Sequence, residues 1–218
     1  MAKIIITIGR EYGSGGREIG EKIAERLGIP CYDKLIVDRT VKESNIDPDL
    51  VKKLEENHKE VMRHTVINTY YGHHGMFGLL NEPSIATKID VARTNAIKDL
   101  SKNGSCVMIG RAADYVLKDE ENIISLFICA DRECRIARIM ERQSVSRNKA
   151  KKLIKDVDKN RSEFYNFNTD KKWGVASSYD LTINSSLLGI DDTVEAILSY
   201  IYTYLKNHKL ERFSKEGE

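Results

Sequence analysis

The sequence predicts an α/β fold, three layers built on a five-stranded parallel sheet. Three observations carry this. The chain opens with the β-branched run Ile4–Ile8, which has no polar alternation, as a strand buried on both faces of a sheet requires. A glycine-rich turn and an amphipathic helix follow it directly. Further short apolar runs are separated by stretches of helical periodicity, the alternation that parallel strands need for their crossovers.

In chain order, the first strand covers Lys3–Gly9 and the turn Arg10–Gly16. The helix after it places Ile19, Ile23, Ala24 and Leu27 on one face and stops at Gly28, since glycine adopts the left-handed conformation that ends helices. Ile29–Tyr32 reads as a second strand ending at Asp33. Residues 34–104 are mostly helical: Leu35, Val37 and Val41, then Leu50–His64, then Ile85, Ile89, Ala92, Ala96, Ile97 and Leu100 fall at helical spacing. An irregular patch, Tyr70–Pro83, interrupts them; its adjacent His73 and His74 read as solvated loop residues rather than metal ligands. Strands resume at Ser105–Ile109 and Ile123–Cys129. Helices follow at Arg132–Gln143 and from Arg147 to about Phe164, then a last strand at Tyr179–Asn184. Val194, Ile197, Leu198, Ile201 and Leu205 mark a C-terminal helix, and His208–Glu218 a solvated tail. The reading is one 218-residue domain, with a core at 1–33, 105–130 and 175–208 and helical insertions at 34–104 and 131–172.

Charge narrows the function. A net charge of +2 argues against a nucleic-acid coat or a polybasic membrane binder. The balance is uneven, however: residues 132–172 hold 13 Lys/Arg against 6 Asp/Glu, so that segment carries +7 and the remainder −5. No apolar run approaches the ~20 residues that span a bilayer, and the N-terminal apolar stretch is too short for a secretion signal. The four cysteines show no CxxC spacing and read as buried free thiols in a reducing cytoplasm. The oligomeric state is left open.

The chemistry lies first in the loop Arg10-Glu11-Tyr12-Gly13-Ser14-Gly15-Gly16-Arg17. Strand, glycine turn and helix N-terminus together make an anion site, because glycines let successive N–H groups converge and the helix dipole favours negative charge. The dinucleotide pattern GxGxxG fails at Glu18. The phosphate-loop pattern GxxxxGK[ST] can be laid over residues 10–17: Gly15 matches, Arg10 stands for the first glycine, Gly16 for the lysine and Arg17 for the hydroxyl residue. A cation opening a helix opposes the dipole unless an anion sits there, so Arg17 reads as a phosphate ligand.

The stretch IGREYGSGGREIGEKIAERLGIPCYD resembles the start of the cytidylate kinase-like family, P-loop nucleoside monophosphate kinase relatives whose loop lacks the usual lysine. GRAADYVL, CADRECRIARIMER and YDLTINSSLLGIDDTVEAI are similar to the same family in the same order, so the resemblance runs from Lys3 to about Tyr200. It implies a three-layer P-loop kinase fold, ATP with Mg²⁺, nucleotide substrates, an acceptor-binding lobe at 34–104 and a lid at 131–172. Gly13, Ser14, Gly15, Gly16 and Arg17 would hold the donor phosphates, and Ser14 could take the magnesium role vacated at position 17. Tyr32-Asp33-Lys34-Leu35-Ile36-Val37-Asp38-Arg39 is similar to a segment whose Asp lies near magnesium and whose Arg holds the acceptor phosphate; the matching residues are Asp33, through water, and Arg39. Where cytidylate kinases have Gly-Arg-Asp, this chain has Gly110-Arg111-Ala112, which leaves Arg111 on the acceptor and Asp114 to replace the carboxylate.

Arg132, Arg135, Arg138 and Arg142 repeat at spacings of 3, 3 and 4, which puts them on or near one helical face. Asp158-Lys159-Asn160-Arg161 resembles the end of the family's lid. The resemblance therefore implies Arg138, Arg142 and Arg161, supported by Lys159, as cations at the transferring phosphoryl group, with Asp158 at the substrate. Trp173 and the cluster Phe164–Phe167 read as hinge packing. The expected reaction is phosphorylation of a nucleoside monophosphate, CMP or dCMP first. Two other readings stay open: a kinase of another small acceptor, favoured by Ala112, and a nucleotide-binding sensor or partner-binding protein without turnover, favoured by the missing lysine.

Overall fold

Five strands form one all-parallel sheet in the order β2-β3-β1-β4-β5. The structure is a computed structural model and describes residues 3–51 and 84–210. The strands are β1 (Ile5–Arg10), β2 (Cys31–Tyr32), β3 (Cys106–Ile109), β4 (Ile123–Cys129) and β5 (Leu181–Asn184). The helices described are α1 (Gly16–Leu27), α2 (Lys34–Ser44), α3 (Ile85–Lys102), α4 (Ala113–Val116), α5 (Arg132–Gln143), α6 (Arg147–Asn168) and α7 (Ser185–Asn207). Helices lie on both faces, so the expected three-layer architecture is the one observed.

The run of isoleucines explains the placement of β1 at the centre. Side chains alternate across a strand. Ile4, Ile6 and Ile8 therefore point to one face, where they pack with Ile19 and Ile23 of α1 and Val194, Ile197 and Ile201 of α7. Ile5 points to the other, with Cys106 and Met108 of β3 beneath Ile36 of α2 and Ile97 and Leu100 of α3. A smaller aromatic layer, Phe127, Tyr165 and Tyr179 around Ala112, closes the carboxyl end of the sheet under α6.

Several boundaries differ from the expected ones for identifiable reasons. β1 begins at Ile5 and runs on through Arg10, which pairs with Ile128. β5 begins at Leu181, because Tyr179 follows a 3₁₀ turn at Ala176–Ser178 and is buried in the aromatic layer. α6 continues to Asn168, whose side-chain amide donates to the Phe164 carbonyl and satisfies one of the last carbonyls of the helix. α7 is broken at Gly189 (φ 76°, ψ −176°). The cysteines are all free, but only Cys106 is buried; Cys31 and Cys129 are half-buried and Cys134 is exposed on the first turn of α5. Leu50–His64 beyond Val51, the whole patch Tyr70–Pro83 with its two histidines, and residues 211–218 lie outside the described residues. Among the described residues no helix is long and apolar enough to cross a membrane.

Candidate functional site

In an open parallel sheet, ligands bind beyond the carboxyl ends of the strands, where successive crossovers diverge. β1, with β3 on one side and β4 on the other, occupies that position. A cleft of about 640 Å³ opens there, lined by the end of β1, Asp33, Gly110–Ala112, Asp114 and one side of α6.

The glycine loop forms its shoulder. Gly13 (φ 83°) and Gly15 (φ 79°) both take the left-handed conformation, which turns the chain abruptly from β1 into α1. The N-cap residue of α1, Gly15, brings no side-chain cap, so the helix N-terminus is a place where an anion is favoured. Ser14 is buried: its hydroxyl donates to the Glu11 carbonyl (2.9 Å) and accepts from the Gly16 N–H (3.3 Å), and its own carbonyl accepts from the Ser185 hydroxyl (2.6 Å). That hydroxyl is spent on holding the loop. Arg17 is exposed; its Nε lies 3.0 Å from Glu21 and 3.4 Å from Asp33, so the cation at the helix start is balanced by two carboxylates.

Three arginines converge in the cleft. Arg10 comes from the end of β1, Arg111 from the loop after β3 and Arg161 from α6. Arg161 donates to the Arg10 carbonyl (3.0 Å) and lies over the Tyr12 ring (5.6 Å). Loss of solvent pushes the Arg10 guanidinium well below its ordinary range; Arg161, Arg111 and Arg17 push the same way, and Asp33 opposes them. Arg161 is lowered too, chiefly by burial, against the pull of Asp158. Gly110, Arg111 and Ala112 are three successive residues at positive φ (73°, 60° and 52°). For the two non-glycine residues this is strained backbone, and such strain concentrates where function fixes a side chain; here it aims Arg111 into the cleft.

The opposite wall is aromatic. Phe164, Tyr165, Trp173 and Tyr179 line it, with Trp173 edge-on to Phe127 (5.2 Å) and Tyr179 tilted against it (4.9 Å). Buried at their foot, Asp114 accepts a hydrogen bond from the Tyr165 hydroxyl (2.6 Å), with Lys171 4.0 Å away. Burial raises the Asp114 carboxyl above its usual range, opposed by Tyr165 and Lys171. Burial also pushes the Tyr179 hydroxyl up to about 12, and its oxygen accepts from the Gly174 N–H (3.4 Å). The cleft thus offers cations for an anionic group at one end, and at the other a flat apolar wall with one carboxylate.

Residues 5–187 match the model of the cytidylate kinase-like family. The chain belongs to that family. It is 25% identical over 190 residues to a cytidylate kinase of Pyrococcus horikoshii, covering 84% of this chain and 81% of that one. It is 32% identical over 132 residues to a cytidylate kinase of Staphylothermus marinus, 58% of this chain and 68% of that one. Among solved structures, an uncharacterized protein from Eubacterium ventriosum superposes with a TM-score of 0.68 at 29% identity over 91% of this chain and 98% of its own. Shikimate kinase from Bacteroides thetaiotaomicron gives 0.51 at 12% identity, over 92% and 99%, a likeness of fold. The fold is that of the P-loop kinases.

Of the residues that the family pattern singles out, the structure gathers Asp33, Arg111, Asp114 and Arg161 into the cleft lining. Arg39 is half-buried on α2, near enough to Asp99 to act on it electrostatically, and is not in that lining. Arg138 donates to the Gly13 carbonyl (2.8 Å), bracing the glycine loop from outside. Arg142 is exposed on the last turn of α5. Lys159 is exposed and lies 3.7 Å from Glu163. Trp173, Phe164 and Tyr165, expected to pack a hinge rather than to stack on a base, face the cleft. Arg10 and Arg135 were not singled out by sequence: the template puts a glycine at position 10, and nothing in the arginine stripe distinguishes position 135.

Arg135 explains Asp158. It is 9% exposed and reaches Asp158 (2.5 Å), Glu11 (3.5 Å) and the Tyr12 carbonyl (3.4 Å). The other oxygen of Asp158 accepts from the Tyr12 N–H (2.7 Å). The pair clasps the helical hairpin α5–α6 onto the glycine loop. Asp158→Ala leaves Arg135 with the longer contacts to Glu11 and the Tyr12 carbonyl and takes the acceptor from the Tyr12 N–H; it should cost about 3 kcal/mol. The midpoint of a urea titration should fall at unchanged m-value; a midpoint within error of the parent's would refute the clasp.

Proposed function

We propose that this cleft transfers the terminal phosphoryl group of ATP to a nucleoside monophosphate, CMP or dCMP first. The observation that carries the reading is the convergence of Arg10, Arg111 and Arg161 around one carboxylate, Asp33, beside an uncapped helix N-terminus. Like charges held together in a partly desolvated cleft repel one another, an arrangement that becomes favourable once a polyanion enters. Phosphoryl transfer needs such a setting, because its charge spreads over equatorial oxygens and catalysis is largely positioning and cationic stabilisation.

In this reading the loop residues Gly13–Arg17 hold the donor phosphates, with the Ser14 hydroxyl acting on the loop rather than on the metal. Arg111, with Arg39, takes the acceptor phosphate, and the aromatic wall takes the base. Arg161 leads the cations of the hairpin; Arg138 shapes the loop, while Arg142 and Lys159 need a movement of the hairpin to reach the cleft. Asp158 acts through the clasp, and residues 34–104 and 131–172 serve as acceptor lobe and lid.

Among the described residues no group of three or more His, Cys, Asp or Glu side chains converges on a metal position. Asp33, a half-buried carboxylate at the cationic end of the cleft, nevertheless suits Mg²⁺, which keeps most of its water and is completed by substrate phosphates. When bound, the ion neutralises charge on the phosphates. Asp33 would orient it through water, exchanging its present contact with Arg17.

The test is ADP release measured across the nucleoside monophosphates with and without Mg²⁺. Mg²⁺-dependent turnover on CMP or dCMP above the other monophosphates is expected. Tight ATP binding with no turnover on any of them would sink the reading, and turnover confined to another small acceptor would leave the kinase and remove the nucleotide.

A further inference from the structure

The loop of this chain has Gly16 where the phosphate-loop pattern puts its lysine, and the structure shows why no lysine could stand there beside Arg10. A Cβ placed on Gly16 would lie 2.6 Å from the Cβ of Arg10, 3.2 Å from its Cγ and 3.2 Å from the Cβ of Ile128. Contacts under 3.0 Å are not tolerated, and the Arg10 Cβ cannot swing away because it is fixed to the backbone of β1. Hydrogen bonds to the main chain hold that position: the Glu11 N–H donates to the Ile128 carbonyl (3.0 Å), and the Arg161 guanidinium donates to the Arg10 carbonyl (3.0 Å). The root of the Arg10 side chain therefore fills the space from which a lysine at 16 would grow.

The far end of the same side chain is fitted as closely. A Cβ on Gly110 would lie 1.8 Å from Arg10 Nη1 and 3.0 Å from its Cζ. Arg10 runs from one glycine to another, and its guanidinium ends in the cleft with Arg111, Arg161 and Asp33. Gly16, the first residue of α1, does not take a positive φ, so the approach of the Arg10 Cβ is what calls for glycine there; Gly110 takes a positive φ (73°) and also leaves room for the guanidinium.

We infer that Arg10 is the cation that replaces the lost loop lysine, its guanidinium holding phosphoryl oxygens where donor and acceptor meet, with Gly16 and Gly110 as the clearances that let it pass. The assignment rests on the reading of this cleft as a phosphoryl-transfer site. A guanidinium supplies a planar fork where lysine supplies a point charge, so it can hold two oxygens at once. The crowding of Arg10 by Arg161, Arg111 and Arg17 fits the same role, because an incoming phosphate relieves it.

The test uses the full chain, with ATP titrated calorimetrically, turnover followed by ADP release, and thermal melts as a folding control. Arg10→Met keeps the bulk of the stem and removes the charge. It is expected to weaken ATP binding at least about tenfold and to lower kcat/KM about a hundredfold or more. Arg10→Gly with Gly16→Lys moves the cation back to the usual loop position and empties the space that it needs. This double variant is expected to recover at least about tenfold of the turnover lost in Arg10→Gly alone. The inference falls if Arg10→Met stays within about threefold of the parent in both measurements, or if a folded double variant does no better than Arg10→Gly. ATP binding that depends on Arg10 in a chain that phosphorylates no monophosphate would overturn the acceptor reading and uphold Arg10. Turnover on CMP that is indifferent to Arg10 would do the reverse.

Discussion

Replacing Arg161 by methionine should lower kcat by about a thousandfold, with KM for ATP changed by no more than about threefold. The split follows from where the side chain is anchored. Arg161 bonds the Arg10 carbonyl and covers the Tyr12 ring, so one part of the guanidinium is fixed to the end of β1 while the group as a whole faces the cleft. A cation preorganised in this way needs no rearrangement when charge develops on the transferring group, and its effect is concentrated in the transition state. Arg161→Lys should recover little, because a point charge on a flexible stem cannot serve the carbonyl and a phosphoryl oxygen together. Steady-state kinetics of both variants, with melting temperatures as the control for folding, decide the matter. A loss below about tenfold in kcat would remove Arg161 from this role, and a thousandfold loss in Arg142→Met instead would require the hairpin to close by moving its last turn inward.

The fold was legible because its signals are local. Ile4–Ile8 states a doubly buried strand without help from the rest of the chain, and Arg132–Gln143 coincides with α5 because its limits are set by sequence-local features. The cleft was legible only in part, because it is assembled by pairings across the chain. Arg17 reads as an unbalanced cation when only the helix dipole is considered; in the folded chain Glu21, one turn on, and Asp33, from the end of β2, supply the opposing charge. The stripe Arg132, Arg135, Arg138 and Arg142 reads as one cationic face, yet it spans an arc wide enough for Arg135 to be buried while Arg132 and Arg142 stay in solvent. Arg10 was hidden by the template itself. A pattern that expects glycine at one position and lysine six residues on cannot show that the cation has moved to the first of them. Only the distances from Gly16 and Gly110 do so.

Asp114→Asn should change which base the cleft prefers. The carboxylate is 8% exposed and stands at the foot of the aromatic wall, which in the proposed function takes the base. An ionised carboxylate only accepts hydrogen bonds, so beyond the Tyr165 hydroxyl it can serve a base that presents N–H donors, such as the exocyclic amine of cytosine. Asparagine keeps an oxygen for Tyr165 and turns an amide donor toward the base, which suits a carbonyl. The expected result is a fall of about a hundredfold in kcat/KM for CMP, with a smaller fall or a gain for UMP. The pH profile gives an independent reading. Burial raises this carboxyl, so the parent should lose CMP turnover as the pH drops through that raised value, and the acidic limb should vanish in Asp114→Asn. The stability linkage runs the other way. A carboxyl raised in the folded state favours folding when protonated, and that contribution is lost as the pH rises from the unfolded to the folded pKa, so at neutral pH the ion is a cost. Asparagine removes the cost while retaining the Tyr165 contact, and the variant should melt no lower than the parent at pH 7. An unchanged CMP-to-UMP ratio with a raised melting temperature would reduce Asp114 to a packing partner of Tyr165 and return the base contact to the aromatic wall alone.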